Sequence, residues 1–280
     1  MKGPALYLIV LLASLMACIG CAVGPAMFLS ARDREISDST RAIETARDDA
    51  DRAKAYSSRG AAYSEKARYS RIMKLVPNDE YERLFALAIK DHDQAVALNP
   101  ASAEIYFNRA QANYDRGSLD LIYITNPFQA GPRNNPWLRA ASLDFEKAVE
   151  KDPKNSLAFD RLGLAYESNN EADQAIRAYT REMALDPRLG KSRLADEYCV
   201  IGYEQQDLDK AVAAYEKSIE FGLADDETCP VEPFAALTAI SVNGRQFDKA
   251  WDMVHQAQKL GRRIEPELVD RLKRESARTN

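Results

Sequence analysis

The chain has 280 residues, of which 46% are apolar and 29% charged, enough apolar surface for a continuous core with a well-solvated exterior. A net charge of −5, with lysine and arginine not gathered in any one stretch, argues against a nucleic-acid groove, which needs a basic face. Only two histidines exist, His92 and His255, far apart in sequence, and there is no glycine-rich phosphate loop or nucleophile elbow, so no metal, cofactor or catalytic group is predicted.

The first informative segment is Pro4 to Ser30, "PALYLIVLLASLMACIGCAVGPAMFLS", which carries no charge and follows Lys2. This is the pattern of a membrane-targeting segment. Three forms of it stand open. "LMAC" (Leu15–Cys18) resembles the bacterial lipobox, in which a small residue precedes a cysteine that is lipidated and becomes the new N-terminus; Cys21 in "CIGC" is the alternative. The run is also long enough for an uncleaved membrane helix, since about 20 apolar residues span a bilayer. The third form is an ordinary cleaved signal. Each form places the residues after about 31 outside the cytoplasm, in a bacterial cell envelope, with the chain reaching the membrane through its N-terminal segment.

Residues 31–52 are expected to form an N-terminal helix, "ISDSTRAIETA" reading as an isolated second member of a helix pair. From Ala53 onward the chain repeats. Its clearest unit is "FDRLGLAYESNNEADQAIRAYTREMALDP", residues 159–187. Leu162, Leu164, Ala165 and Tyr166, then Ala175, Ile176, Tyr179 and Met183, recur at three- and four-residue steps, the period of helices that bury one face. Asn169 and Asn170 suit the turn between them, and Asp186-Pro187 ends the second helix. Gly163 and Ala175, twelve residues apart, carry so little side chain that the two helices can cross closely.

The same spacing returns along the chain. The interval of twelve to a proline recurs at Ala88–Pro100 and Ala141–Pro153, and the interval of twelve between small residues recurs at Cys199…Ala211 and Thr238…Ala250. The last two second helices end at glycine, a favoured C-terminus. The repeats fall at 53–100, 103–153, 156–187, 192–222 and 231–261, with 262–280 as a polar-faced capping helix and tail.

Two of these units are enlarged. The interval from Gly60 to Ala88 is 28 and from Ala110 to Ala141 is 31, so 16 and 19 residues are added near 65–85 and 118–138. In the first, helical periodicity continues on both sides of Pro77, with Asn78 or Asp79 as an N-cap; this predicts a lengthened hairpin. The second holds Pro127, Pro132, Pro136 and Gly131, which preclude an unbroken helix, and is rich in apolar residues. Long loops of this kind are commonly functional. Tyr123, Phe128 and Trp137 are its candidate interface residues, contacting a partner or buttressing the lengthened hairpin.

With Phe159, Leu162, Gly163, Tyr166, Ala175, Tyr179 and Pro187 in its signature slots, and only Glu182 departing from the preferred alanine, the chain resembles the tetratricopeptide repeat family. The resemblance implies an all-α solenoid, a right-handed superhelix of helix hairpins, with first helices lining a concave groove. The groove candidates it implies are Phe107, Asn108, Gln111 and Tyr114, then Asp160, Arg161 and Leu164, then Asp196, Val200 and Tyr203. Asn108 and Arg161 match two positions of the family's carboxylate clamp, whereas Ser57, Ala61 and Leu157 replace three others. The function implied is a non-enzymatic scaffold for a protein or peptide, similar to lipoprotein adaptors that assemble envelope machinery. The competing classes are an enzyme with a site built across the repeats and a purely structural subunit of an envelope complex.

Two further cysteines, Cys199 and Cys229, bear on the compartment. An oxidising one permits a disulfide between them. The favoured reading is that Cys199, in a small-residue slot, is simply a buried apolar residue.

Overall fold

The computed structural model describes residues 24–121, 134–222, 229 and 231–277. These are all-helical, with no strand among them. They form two compact units, one within Ala5–Leu185 and one within Asp186–Asn280.

In the first unit, α1 (Pro25–Thr45) lies along α2 (Asp49–Ile72), which pairs with α3 (Asn78–Leu98). Next come the pairs α4 (Ala103–Leu121) with α5 (Pro136–Lys151) and α6 (Ser156–Ser168) with α7 (Ala172–Leu185). The first helices α2, α4 and α6 are neighbours in turn, and α3 and α5 pack against the hairpin that follows each. The second unit pairs α8 (Pro187–Glu204) with α9 (Leu208–Phe221) and α10 (Pro233–Asn243) with α11 (Phe247–Lys259). Helix α12 (Pro266–Ser276) then lies over α10 and α11.

Local chemistry sets the helix starts. Side-chain oxygens of Asp48, Asn135, Asn155, Asp186, Asp207 and Glu232 accept the amides two or three residues on, satisfying donors that have no partner within the helix. Three expectations are corrected. The chain breaks at Ala46–Asp48, so 31–52 is not one helix; Asp48 opens α2 instead. The N-cap position of α3 is Pro77, without a side-chain cap, and Asn78 is already helical. Finally, Pro25–Ser30, the end of the uncharged run, is the start of α1, because Phe28 stacks on Tyr69 of α2 with ring centroids 4.2 Å apart. The rest of that run lies outside the described residues.

Small residues sit where helices cross. Ala88, Ala110, Ala141, Ala175, Cys199, Thr238 and Ala250 are all fully buried. A Cβ on Gly163 would lie 2.2 Å from the Tyr179 ring, and one on Gly60 would lie 2.8 Å from Nε2 of His92. The side chain four residues after the second-helix small residue is buried in every pair, as His92, Phe145, Tyr179, Tyr215 and Val254; His92 and Tyr179 lie against Gly60 and Gly163, and Tyr215 against Gly202. At the turn between α6 and α7, Asn170 takes φ 62°, a left-handed conformation that asparagine tolerates.

Candidate binding face

The seams between the first helices in the Ala5–Leu185 unit are stitched laterally by polar side chains. Asn108 Nδ2 on α4 donates to Ser57 Oγ on α2 at 3.0 Å, and the Tyr114 hydroxyl meets Ser168 Oγ on α6 at 3.3 Å. Next to Tyr114 lies Asp115, almost fully buried, accepting from Gln111 Nε2 at 2.8 Å with Arg68 Nε of α2 at 3.6 Å. Burial pushes the Asp115 pKa up against the opposing pull of Arg68, Gln111 and Arg161. Arg161 also lies 3.8 Å from Asp160. The result is a face whose polar groups are held in place by one another before any ligand arrives.

Behind this face, two pairs of helices are clasped by bidentate ion pairs. Arg59 Nε and Nη2 donate to Asp91 at 2.7 and 2.8 Å, and Arg59 Nη1 reaches Thr40 of α1. Arg109 Nε and Nη2 donate to Asp144 at 2.6 and 2.8 Å, while its Nη1 takes Asp93. Hydrogen bonding to the carboxylates raises the pKa of both guanidinium groups. Each arginine stands one residue before a first-helix small slot, and each aspartate three residues after a second-helix one. That shared offset is visible in the sequence, although the apolar pattern alone does not reveal it. In α6 and α7 the same offsets hold Leu162 and Ala178.

Comparison with known proteins finds a family match over part of this region. Residues 145–177 match the family model described as Tetratricopeptide repeat. That stretch runs from the middle of α5 to the first half of α7. A curated tetratricopeptide protein, small glutamine-rich tetratricopeptide repeat-containing protein 2 of Mycosarcoma maydis, is 29% identical over 103 residues. The match covers 37% of this chain and 24% of the relative, so the chain spans about a quarter of that protein's length. Among solved structures, the C-terminal part of a tetratricopeptide repeat-containing protein from Cytophaga hutchinsonii is similar at 18% identity and TM-score 0.43, covering 87% of this chain and 99% of that one. The MamA protein is similar at 19% identity and TM-score 0.37, covering 68% and 92%. A human IFIT1 dimer with m7Gppp-AAAA is similar at 14% and TM-score 0.43, covering 79% and 48%. Likeness of this degree carries no inference about ligands.

The residues expected on a tetratricopeptide groove are not all available to one. Phe107, Asn108, Gln111 and Arg161 are half-buried on the first-helix face. Tyr114, Asp160 and Leu164 are instead at 7%, 3% and 3% exposure, and Tyr114 and Leu164 belong to the core cluster with Phe145 and Leu162. They fill the seam between neighbouring helices, which corrects their assignment to an open surface. In the second unit, Asp196 and Val200 on α8 are half-buried and Tyr203 is 42% exposed. Leu157, at 47%, is the large apolar residue most open on α6 and was not among the groove candidates.

Of the insertion residues, Tyr123 and Phe128 lie outside the described residues. Trp137 opens α5, and the Arg116 guanidinium sits 3.5 Å over its ring while pairing with Glu82 of α3 at 2.5 Å. Leu119, near the end of the lengthened α4, packs into the cluster of Ala67, Tyr81, Leu84 and Phe85 from the α2–α3 hairpin. The enlarged parts of the two repeats are therefore joined side by side.

Cys199 and Cys229 are disulfide-bonded, their Cα atoms 5.8 Å apart. This corrects the reading of Cys199 as only a buried apolar residue. It is fully buried in its slot, and the segment before α10 also brings Cys229 to it. Among the described residues no group of His, Cys, Asp and Glu could hold a metal ion.

Proposed function

We propose that this chain is a non-enzymatic scaffold that binds a protein or peptide on the first-helix face of its repeats, held at the membrane of a bacterial envelope by its N-terminal segment. Tetratricopeptide proteins act as protein–protein interaction scaffolds, and the repeat sequence here supports the same role. The observation that carries the reading is the α2–α4–α6 face: its polar side chains are preorganised by hydrogen bonds between helices, as Asn108 with Ser57, and within one, as Gln111 with Asp115, yet Leu157 is exposed and Phe107, Asn108, Gln111 and Arg161 keep part of their surface open for a ligand to cover. Preorganisation lowers the ordering cost of binding. Among the described residues, the buried or half-buried Arg59, His92, Arg109 and Asp115, whose pKa values are shifted, lie in helix–helix contacts and line no common cavity, which favours a scaffold over an enzyme.

The envelope location is supported by the uncharged run from Pro4, by the lipobox-like Leu15–Cys18 with Cys21 as the alternative, and by the Cys199–Cys229 disulfide, a bond that persists in oxidising compartments. Cys18 and Cys21 lie outside the described residues, and no described helix is long and apolar enough to cross a membrane. Affinity capture from membrane extracts tests the binding role. The variant Leu157→Arg, which alters only an exposed side chain, should keep its melting temperature and lose the captured partner. Unchanged capture by that variant would remove the first-helix face as the binding surface.

A further inference from the structure

We infer that the tip of the α2–α3 hairpin, with Met73 and Leu75, rests against the lipid bilayer, and that the lengthening of this hairpin serves to reach it. The inference builds on the N-terminal segment being the membrane attachment. It starts from the register of α1 on α2. Thr40 meets Arg59, Asp33 meets Lys66 at 2.6 Å, Arg32 meets Glu65, and Phe28 stacks on Tyr69. The two helices are thus antiparallel, and each turn back along α1 is a turn forward along α2. Continued by one more turn, the register puts Gly24 and Pro25 level with the end of α2 and the tip residues. The uncharged run ahead of Pro25 therefore meets the folded unit at the hairpin tip. The Ala46–Asp48 turn lies at the other end of α2, roughly 36 Å away for 24 residues at about 1.5 Å each.

The tip suits that place. Among the described residues of this unit six large apolar side chains are exposed, and three of them are here: Met27 at 60%, Met73 at 41% and Leu75 at 42%; the others are Leu143, Leu157 and Leu185. The tip is also a fixed turn. Lys74 takes φ 52°, and the amides of Met73, Lys74 and Leu75 bond to the carbonyls of Tyr69, Arg71 and Ser70. A lysine held between two exposed apolar side chains can keep its ammonium at the headgroups while its neighbours enter the acyl boundary. The charges near the turn nearly balance: Arg71, Lys74 and Arg83 stand against Asp79 and Glu80, with Glu80 bonded to Arg83. Contact therefore rests on apolar insertion, and neutral lipid should suffice. Length fits as well, since α2 and α3 have 24 and 21 residues against 13 and 14 in α6 and α7.

The test uses the full chain in phosphatidylcholine vesicles containing brominated acyl chains. Leu75→Trp reports from the tip and Arg47→Trp from the opposite end, with the fluorescence of native Trp137 and Trp251 subtracted. The expected result is bromine quenching and a blue shift at position 75, unchanged by high salt, with neither at position 47. If the protein floats with the vesicles but position 75 is no more quenched than 47, the tip does not face the bilayer and the inference fails, while membrane attachment stands. If position 75 is shielded from aqueous iodide without bromine quenching, a second protein copy covers it, and the inference also fails. If the chain does not float with vesicles at all, membrane attachment falls and takes the inference with it.

Discussion

Substituting His92 by phenylalanine isolates one buried group whose chemistry disagrees with its surroundings. His92 fills the crossing slot opposite Gly60, is fully buried, and has no hydrogen-bond partner at either ring nitrogen. Burial, aided by the Arg109 cation, lowers its pKa from 6.5 to about 3. Between those values the unfolded chain binds a proton that the folded chain refuses. The unfolded state then holds more protons, so stability falls as pH drops through 6.5 toward 3. The loss attributable to His92 is about 2 kcal/mol between pH 7 and pH 5, and reaches about 5 kcal/mol below pH 3. Phe145 and Tyr179 occupy the equivalent slot elsewhere, so an aromatic ring of this size is compatible with the crossing. Urea unfolding of wild type and His92→Phe at pH 7 and pH 5 measures the difference. The variant should be at least as stable at pH 7, because two buried nitrogens without partners are removed, and should lose about 2 kcal/mol less on acidification. Carboxylates titrate in both proteins and cancel in the comparison. Parallel pH profiles would refute the reasoning.

Four other substitutions probe separate features. Gly163→Ala should cost about 3 kcal/mol by overpacking, since the new Cβ meets the Tyr179 ring at 2.2 Å and that ring is tethered through its hydroxyl to Glu167; an unchanged thermal midpoint would count against the crossing. Asp144→Ala should cost about 2–3 kcal/mol by removing the bidentate partner of Arg109 while Asp93 still holds one nitrogen, whereas Arg109→Leu/Asp144→Ala, which copies Leu162 and Ala178, should recover to near wild type. Urea titrations of both variants decide this, and equal losses would show that the pair is not coupled. Reducing Cys199–Cys229 should lower stability by about 3–4 kcal/mol for a separation of 30 residues, and thiol alkylation of the unfolded, unreduced protein should leave both residues unmodified. Mass spectrometry of the mature N-terminus should show acylation that Cys18→Ala abolishes and Cys21→Ala preserves; an unmodified full-length N-terminus in the wild type would remove the lipoprotein form.

What was legible in the sequence follows the range of the interaction responsible. The helical class and the tight crossing of Gly163 were readable because each depends on spacing within a few turns: small residues at fixed intervals admit an opposing ring, and Tyr179 lies at the matching offset. Face assignment failed where two outcomes differ by one step of about 100° around a helix. Asp160 immediately precedes Arg161, and Tyr114 and Leu164 stand three residues after Gln111 and Arg161, about 60° around the helix, yet the packed helices close over Asp160, Tyr114 and Leu164 and leave Gln111 and Arg161 partly open. No local pattern reports that closure, because the bonds that set it join residues 51 and 54 apart, Asn108 with Ser57 and Tyr114 with Ser168. The disulfide was hidden for the same reason: Cys199 satisfies its packing slot as a small side chain whether or not Cys229 arrives, so its position carried no sign of the second role. The proposed binding face thus depends on side chains whose local environments look ordinary, and its shape is set by how the first helices are held side by side.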